Sequence, residues 1–184
     1  MEPSTTIVYT YDDYLTLPDD GKRYEIIEGE LYMTPAPITL HQLVSGRLFR
    51  IIDDFVRKYD LGQALYAPVD VVLSMTDVVE PDIVFVAKER FHIIAKKNIV
   101  AAPDLVIEIL SESSANTDRT TKKALYEKYG VKEYWIVDPD EQTVELFVRK
   151  ENEFSRVGVF AGNQTVESQL LEGLKIKVRE VFTK

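Results

Sequence analysis

The 184-residue sequence has no cysteine. That single absence excludes disulfides, thiolate-bound zinc and a cysteine nucleophile. Histidine is nearly missing too: His41 and His92 are the two in the chain, too few for a His-rich zinc site. No Gly/Ser stretch, charge block or repeat marks a linker, so the chain reads as one domain over 1–184. No apolar run approaches the roughly 20 residues that span a bilayer. The opening MEPSTTIVYTYDDY has neither the basic nor the apolar region of a secretory signal, and the expected location is the cytoplasm. A Gly-rich phosphate loop, a serine nucleophile elbow and an HExxH pair are also missing.

What the chain has in excess is negative charge. Asp and Glu number 31 against 22 Lys and Arg, a formal net charge of −9. Phosphate binding draws its affinity from cations that displace counterions, so the whole-molecule field opposes nucleic acid. A nucleic-acid substrate then requires a local basic path, a metal ion or a short substrate. Apolar residues at 45% and charged residues at 29% are ordinary for a globular fold.

The prolines punctuate the elements. TYDDYLTLPDD (10–20) reads as a short helix stopped by Pro18. RYEIIEGELYM (23–33) reads as a β-hairpin with Glu28-Gly29 at the turn, and TPAP (34–37) as a connector. HQLVSGRLFRIIDDFVRKY (41–59) is an amphipathic helix. Val44, Leu48, Ile52 and Phe55 form its inner stripe, and Arg47, Arg50 and Arg57 lie outside.

Two apolar runs, 64–74 and 80–87, suit adjacent antiparallel strands, and PDLVIEIL (103–110) is the next strand. DRTTKKALYEKYG (118–130) is a helix closed by Gly130, and VKEYWIVDP (131–139) a strand parallel to the one before that helix. Residues 143–160 read as a further hairpin, and LKIKV (174–178) as a short terminal strand. The fold class is thus α/β, a mixed sheet flanked by helices. An N-terminal helix and hairpin (1–40) precede a catalytic core (41–140), and C-terminal strands (141–184) follow it.

Glu108 is the first residue that carries chemistry. In LVIEIL the alternation puts Leu105, Ile107 and Ile109 on one face and Val106, Glu108 and Leu110 on the other. A carboxylate among apolar neighbours is costly to bury unless a cation or donors compensate it. Asp82 follows Pro81 at the start of the preceding strand, and neighbouring strands bring two carboxylates within reach of one cation. Hard cations such as Mg²⁺ or Mn²⁺ take oxygen ligands, commonly one or two carboxylates plus water and substrate phosphate.

On the helix 118–130, at 100° per residue, Lys122 shares the inward stripe with Leu125, Tyr126 and Tyr129. It can either reach Glu108 and a phosphate or snorkel to water over apolar surface. Asp118, one turn earlier, is placed to orient Lys122 or cap the helix. His41 opens the long helix on its inward stripe, as a packing residue or as an accessory one at the site mouth. Of Glu25, Glu28 and Glu30 on the hairpin, all expected to be largely solvated, Glu30 is the candidate for an extra acid.

RYEIIEGELYMTPAP, the His41 helix, EPDIVFV, PDLVIEILSESS, DRTTKKALYEKYGVKEYWIVDP and LEGLKIKV together resemble the Uma-two family of endonucleases in the PD-(D/E)XK superfamily. The resemblance runs over nearly the whole chain. It implies a restriction-endonuclease-like core, a metal site, DNA as the substrate class and often a dimer. Pro81-Asp82 matches the PD half and Glu108 the (D/E). The lysine position of that half holds Leu110 instead, and the resemblance moves the lysine role to the following helix, where Lys122 stands.

The expected function is metal-assisted phosphodiester hydrolysis, with Asp82 and Glu108 as ligands of Mg²⁺ or Mn²⁺ and Lys122 positioning water or stabilising charge. The alternatives are a non-catalytic nucleic-acid or protein-interaction domain that keeps the fold, favoured by the −9 charge and the displaced lysine, and hydrolysis of a different phosphate ester.

Overall fold

Antiparallel and parallel ladders meet in one six-stranded sheet that organises the molecule. The computed structural model describes residues 7–183. The first six residues, part of the segment read as lacking a secretory signal, and Lys184 lie outside the described residues.

Helix α1 (Tyr11–Tyr14) opens on a capping box, in which the Thr10 side chain accepts from the Asp13 amide and Asp13 reaches back to the Thr10 amide. Strands β1 (Arg23–Ile27) and β2 (Glu30–Thr34) form the expected hairpin. Its two turn residues, Glu28 and Gly29, both have positive φ, as a tight hairpin turn demands. A side chain at Gly29 would also collide with Val8. Helix α2 (Thr39–Lys58) follows, with His41, Val44, Leu48, Ile52 and Val56 buried. Val56, rather than Phe55, completes the buried stripe, and Phe55 packs at its margin.

The run 64–74 is not one strand. Its first part is β3 (Gly62–Tyr66), its second part β4 (Val71–Ser74), and the two enter different sheets. Pro68 lies between them; it has no N–H to donate to a ladder, so pairing ends there. Strand β4 pairs with β5 (Asp77–Val79), which joins β1 to complete a four-stranded sheet in the order β2-β1-β5-β4. Strand β3 pairs antiparallel with β6 (Ile83–Ala87). β6 pairs antiparallel with β7 (Leu105–Ile109).

The helix expected at 118–130 begins earlier and is irregular. It comprises α3 (Ala115–Thr117), a π-helical turn at Asp118–Lys122, and α4 (Lys123–Tyr129), closed by Gly130 in the left-handed region. It returns the chain to β8 (Glu133–Asp138), parallel to β7 as the crossover requires. Strands β9 (Thr143–Lys150) and β10 (Glu153–Ala161) extend the sheet to the order β10-β9-β8-β7-β6-β3. The terminal strand, β12 (Lys175–Lys177), pairs with β11 (Thr165–Glu167), and α5 (Val178–Phe182) follows.

Strand alternation separates two apolar cores. Ile83, Phe85, Leu105, Ile107 and Ile109 pack with α2 and the C-terminal elements on one face. Val84, Val86, Val106 and Leu110 pack on the other with Leu125 and Tyr126 of α4 and with Val71 and Val79 of the small sheet. Two acids fasten these layers. Glu133 accepts from the Trp135 indole at 2.7 Å, the Ser168 hydroxyl at 2.8 Å, and the backbone amides of Gln169 and Leu170, tying the C-terminal elements to β8. Asp104, fully buried, accepts from the Ala87 amide at 2.9 Å and pairs with Arg90 and Lys132.

Burial alone would raise the Asp104 pKa, but the Ala87 amide, Lys132 and Arg90 outweigh it and hold the carboxyl below its ordinary value of 3.8. A depressed folded-state pKa stabilises the fold above the unfolded value and loses that contribution as pH falls through the folded one. Asp104→Ala is therefore expected to cost about 2 kcal/mol at neutral pH. In urea titrations the gap between variant and parent should narrow as pH falls below about 4; a gap independent of pH would refute the ionic role.

Candidate active site

The site is built where β6 and β7 lie side by side. Ile83 faces Ile107 and Phe85 faces Leu105, so one further step in the same register sets Asp82 opposite Glu108. Both acids have the strand parity of the core that packs under α4, and both are 3% exposed. The π-helical turn then delivers Lys122 and Asp118 to the same spot. A π turn is wider than an α turn and is found frequently at functional positions.

The Lys122 ammonium is the hub. Its Nζ lies 2.8 Å from Glu25, 3.2 Å from Glu108 and 3.5 Å from Asp118. Snorkelling is excluded, because the side chain is buried and its charge is met by three carboxylates. Glu108 also accepts from the Tyr126 hydroxyl at 2.6 Å. Asp82 is held from the other side. It accepts from the Ile109 amide at 2.8 Å, His41 Nε2 lies 3.1 Å away, and Arg23 pairs with its second oxygen at 3.2 Å. The other ring nitrogen of His41, Nδ1, is buried without a partner.

Ionisation follows from these neighbours. Burial pushes the Glu108 carboxyl well above its ordinary range; Lys122 opposes the shift, and the charges of Asp118, Asp82 and Glu25 add to it. Asp118 is raised for the same reasons, burial first. For Asp82 burial acts upward too, but His41, the Ile109 amide and Arg23 prevail and the carboxyl stays below its usual value. Lys122 is lowered by burial and raised more by Glu108, Glu25 and Asp118, so the ammonium holds its proton strongly. Perturbed carboxylates gathered in one cleft make this a candidate functional site.

One expectation fails. Glu30 is exposed, and its carboxylate takes a hydrogen bond from Tyr32, so it is no part of the cluster. The hairpin's acid is Glu25, one strand earlier, which also accepts from the Glu80 amide at 2.8 Å. Alternation gives the reason. Glu25 shares a strand face with Ile27, whose side chain is buried in the core beneath α4. The signal is weaker than for Glu108, because Glu25 has the charged Arg23 on one side of its face and only Ile27 on the other. Arg23 and Tyr126 were also missed. Tyr126 shares Lys122's helix face, but its hydroxyl partner is set by the depth of packing.

Five carboxylates, Glu25, Glu80, Asp82, Glu108 and Asp118, thus surround one lysine and one arginine, and the pocket carries excess negative charge. Oxygen donors and uncompensated charge suit a hard divalent cation. Among the described residues no three His, Asp or Glu side chains form a ready-made cage. A small cation that keeps its waters and binds through two carboxylates does not need one. Asp82 and Glu108 offer oxygen donors of the right chemistry from facing register positions.

Removing the hub should expose the repulsion it suppresses. Lys122→Met is expected to destabilise the fold by about 3–5 kcal/mol. Adding Glu108→Gln should return part of that loss, because one of the stranded charges disappears. Urea denaturation of the four proteins in this cycle measures the coupling, and strictly additive losses would contradict the arrangement.

Residues 11–179 match the family model of Uma2, described as "Putative restriction endonuclease". Among solved structures, the chain is similar to the crystal structure of "a putative nuclease belonging to DUF820" from Anabaena variabilis ATCC 29413. The two are 26% identical, with a TM-score of 0.78, over 94% of this chain and 97% of that one. No curated protein matches the sequence. No helix among the described residues is long and apolar enough to cross a membrane. The mixed sheet, its flanking helices and this structural likeness define a restriction-endonuclease-like fold, and the chain belongs to the Uma2 family.

Proposed function

We propose that this protein is a Mg²⁺- or Mn²⁺-dependent nuclease that hydrolyses phosphodiester bonds in DNA. The observation that carries the reading is the facing pair Asp82 and Glu108 with the buried ammonium of Lys122 beside it, at the floor of a cleft of about 610 Å³. Asp82 and Glu108 are the residues that would hold the cation. When bound, such an ion supplies Lewis acidity toward a phosphoryl oxygen and offsets developing negative charge.

The chain's own groups do the rest. His41, Arg23 and the Ile109 amide fix Asp82 in its charged form and in one orientation. The Tyr126 hydroxyl fixes Glu108. Lys122, in ion-pair distance of Glu108, is placed to orient the attacking water or to meet the charge that grows on the phosphate as the water oxygen bonds to phosphorus and the P–O bond to the leaving alcohol breaks. The three carboxylates around Lys122 favour its charged form, which suits an electrostatic part. Burial of these groups strengthens each interaction by excluding water. The same reading includes a homodimer, which sedimentation of the purified chain would reveal.

Purified protein is expected to cleave DNA with Mg²⁺ or Mn²⁺ and to stop when the ion is chelated. Asp82→Ala and Glu108→Ala should each lower the rate by on the order of 10²-fold or more, with the far-ultraviolet circular dichroism of the parent retained. Calorimetry should show divalent-ion binding in the parent and not in the Asp82→Ala/Glu108→Ala protein. Cleavage unaffected by both substitutions would refute the reading. A folded protein that binds no Mg²⁺ or Mn²⁺ would support the non-catalytic interaction module instead.

A further inference from the structure

The shape and charge of the cleft restrict which phosphodiester can reach its floor. Asp82 and Glu108 are each 3% exposed and Lys122 5%, so a reacting phosphate must descend below the protein surface. Seven carboxylates line the cleft against Arg23 and Lys122 as its strong cations. A duplex docks by laying many phosphates along many Lys and Arg side chains, and this lining offers two. One phosphate can be met by Arg23, Lys122 and a bound cation; a paired backbone cannot.

The rim adds a second observation. Between β2 and α2 the lip is Pro35, Ala36, Pro37 and Ile38, followed by Leu40 in the first turn of α2. Ile38 is 66% exposed and Leu40 39% exposed, and both border a cleft whose floor is lined by carboxylates. Exposed aliphatic and proline side chains beside a charged floor offer apolar surface that an unstacked base can cover; side chains of this kind contact base faces where they wedge between the steps of kinked DNA.

Building on the nuclease reading, we infer that the substrate is a phosphodiester next to an unpaired nucleotide, as in single-stranded or flapped DNA, and not intact duplex. The phosphate enters the floor, and the adjoining base lies on the Pro35–Leu40 lip. The acidic lining then acts as a filter, because a stiff double helix brings uncompensated phosphates against the carboxylates of the rim.

The test compares, in Mn²⁺, a single-stranded oligonucleotide, the same sequence as a blunt duplex, a duplex with a single-stranded flap, and bis(p-nitrophenyl) phosphate. Glu108→Gln protein serves as the control for contaminating nuclease. The single strand should be cut at least tenfold faster than the duplex, and flap cleavage should map to unpaired nucleotides. Duplex cut as fast as single strand would overturn this inference and leave the nuclease reading standing. Hydrolysis of the small diester with no cleavage of any DNA would also overturn it, and would point to a different phosphate ester. Inactivity toward all four would remove the nuclease reading and this inference together.

A second measurement isolates the lip. Ile38→Ser, which supplies the N-cap side chain that α2 lacks, combined with Leu40→Gln should raise KM for the single strand about tenfold with a smaller change in kcat. An unchanged KM would overturn the role of the lip.

Discussion

The ammonium of Lys122 is the constraint on which the site depends. It sits in the protein interior, in contact with Glu25, Glu108 and Asp118. Three elements remote in sequence supply those acids: the hairpin, the central strand and the π turn. Without the cation, three carboxylates would face one another in a medium too weakly polar to screen them. With it, the hairpin sheet is drawn against the six-stranded sheet at one point, and the floor of the cleft acquires a fixed geometry. Even so, one positive charge does not balance its neighbours. Burial is the first reason that Glu108 is reluctant to ionise, and the remaining imbalance adds to it.

Asp82 and Glu108 illustrate how one pairing register yields two unlike acids. They stand opposite each other on adjacent strands, equally buried. Asp82 is surrounded by a histidine, an arginine and a backbone amide, whereas Glu108 has three acids for neighbours and shares its lysine with two of them. Apart from the Ile109 amide of β7, the difference lies in what the flanking helices and hairpin present. The strands fix where the carboxylates are; α2, the π turn and β1 fix what they can do.

Much of this was legible in the sequence, for identifiable reasons. Strand alternation with one misfit residue located Glu108, and helical periodicity turned Lys122 inward. The β7–helix–β8 crossover and the Glu28-Gly29 turn follow from local chemistry, and the family resemblance agrees with the matched model over residues 11–179. What was not legible depended on partners distant in the chain. The split of 64–74 between two sheets is decided by where β4 finds β5, and Pro68 is its only local trace. The π turn breaks the 100° assumption without any breaker residue in DRTTK. Glu25, with Arg23 on one side of its strand face and Ile27 on the other, carries little local signal, and it is buried where the small sheet packs against α4.

Glu133 shows what a purely architectural buried acid looks like beside Glu108. Its oxygens accept an indole, a hydroxyl and two main-chain amides, with no lysine or arginine among them. Two of those four donors belong to the peptide backbone of the turn after Ser168, and any residue other than proline would provide them. The strap that closes the C-terminal end is consequently anchored by main-chain shape more than by side-chain identity. Its outward-facing residues are free to diverge as long as the turn keeps its course.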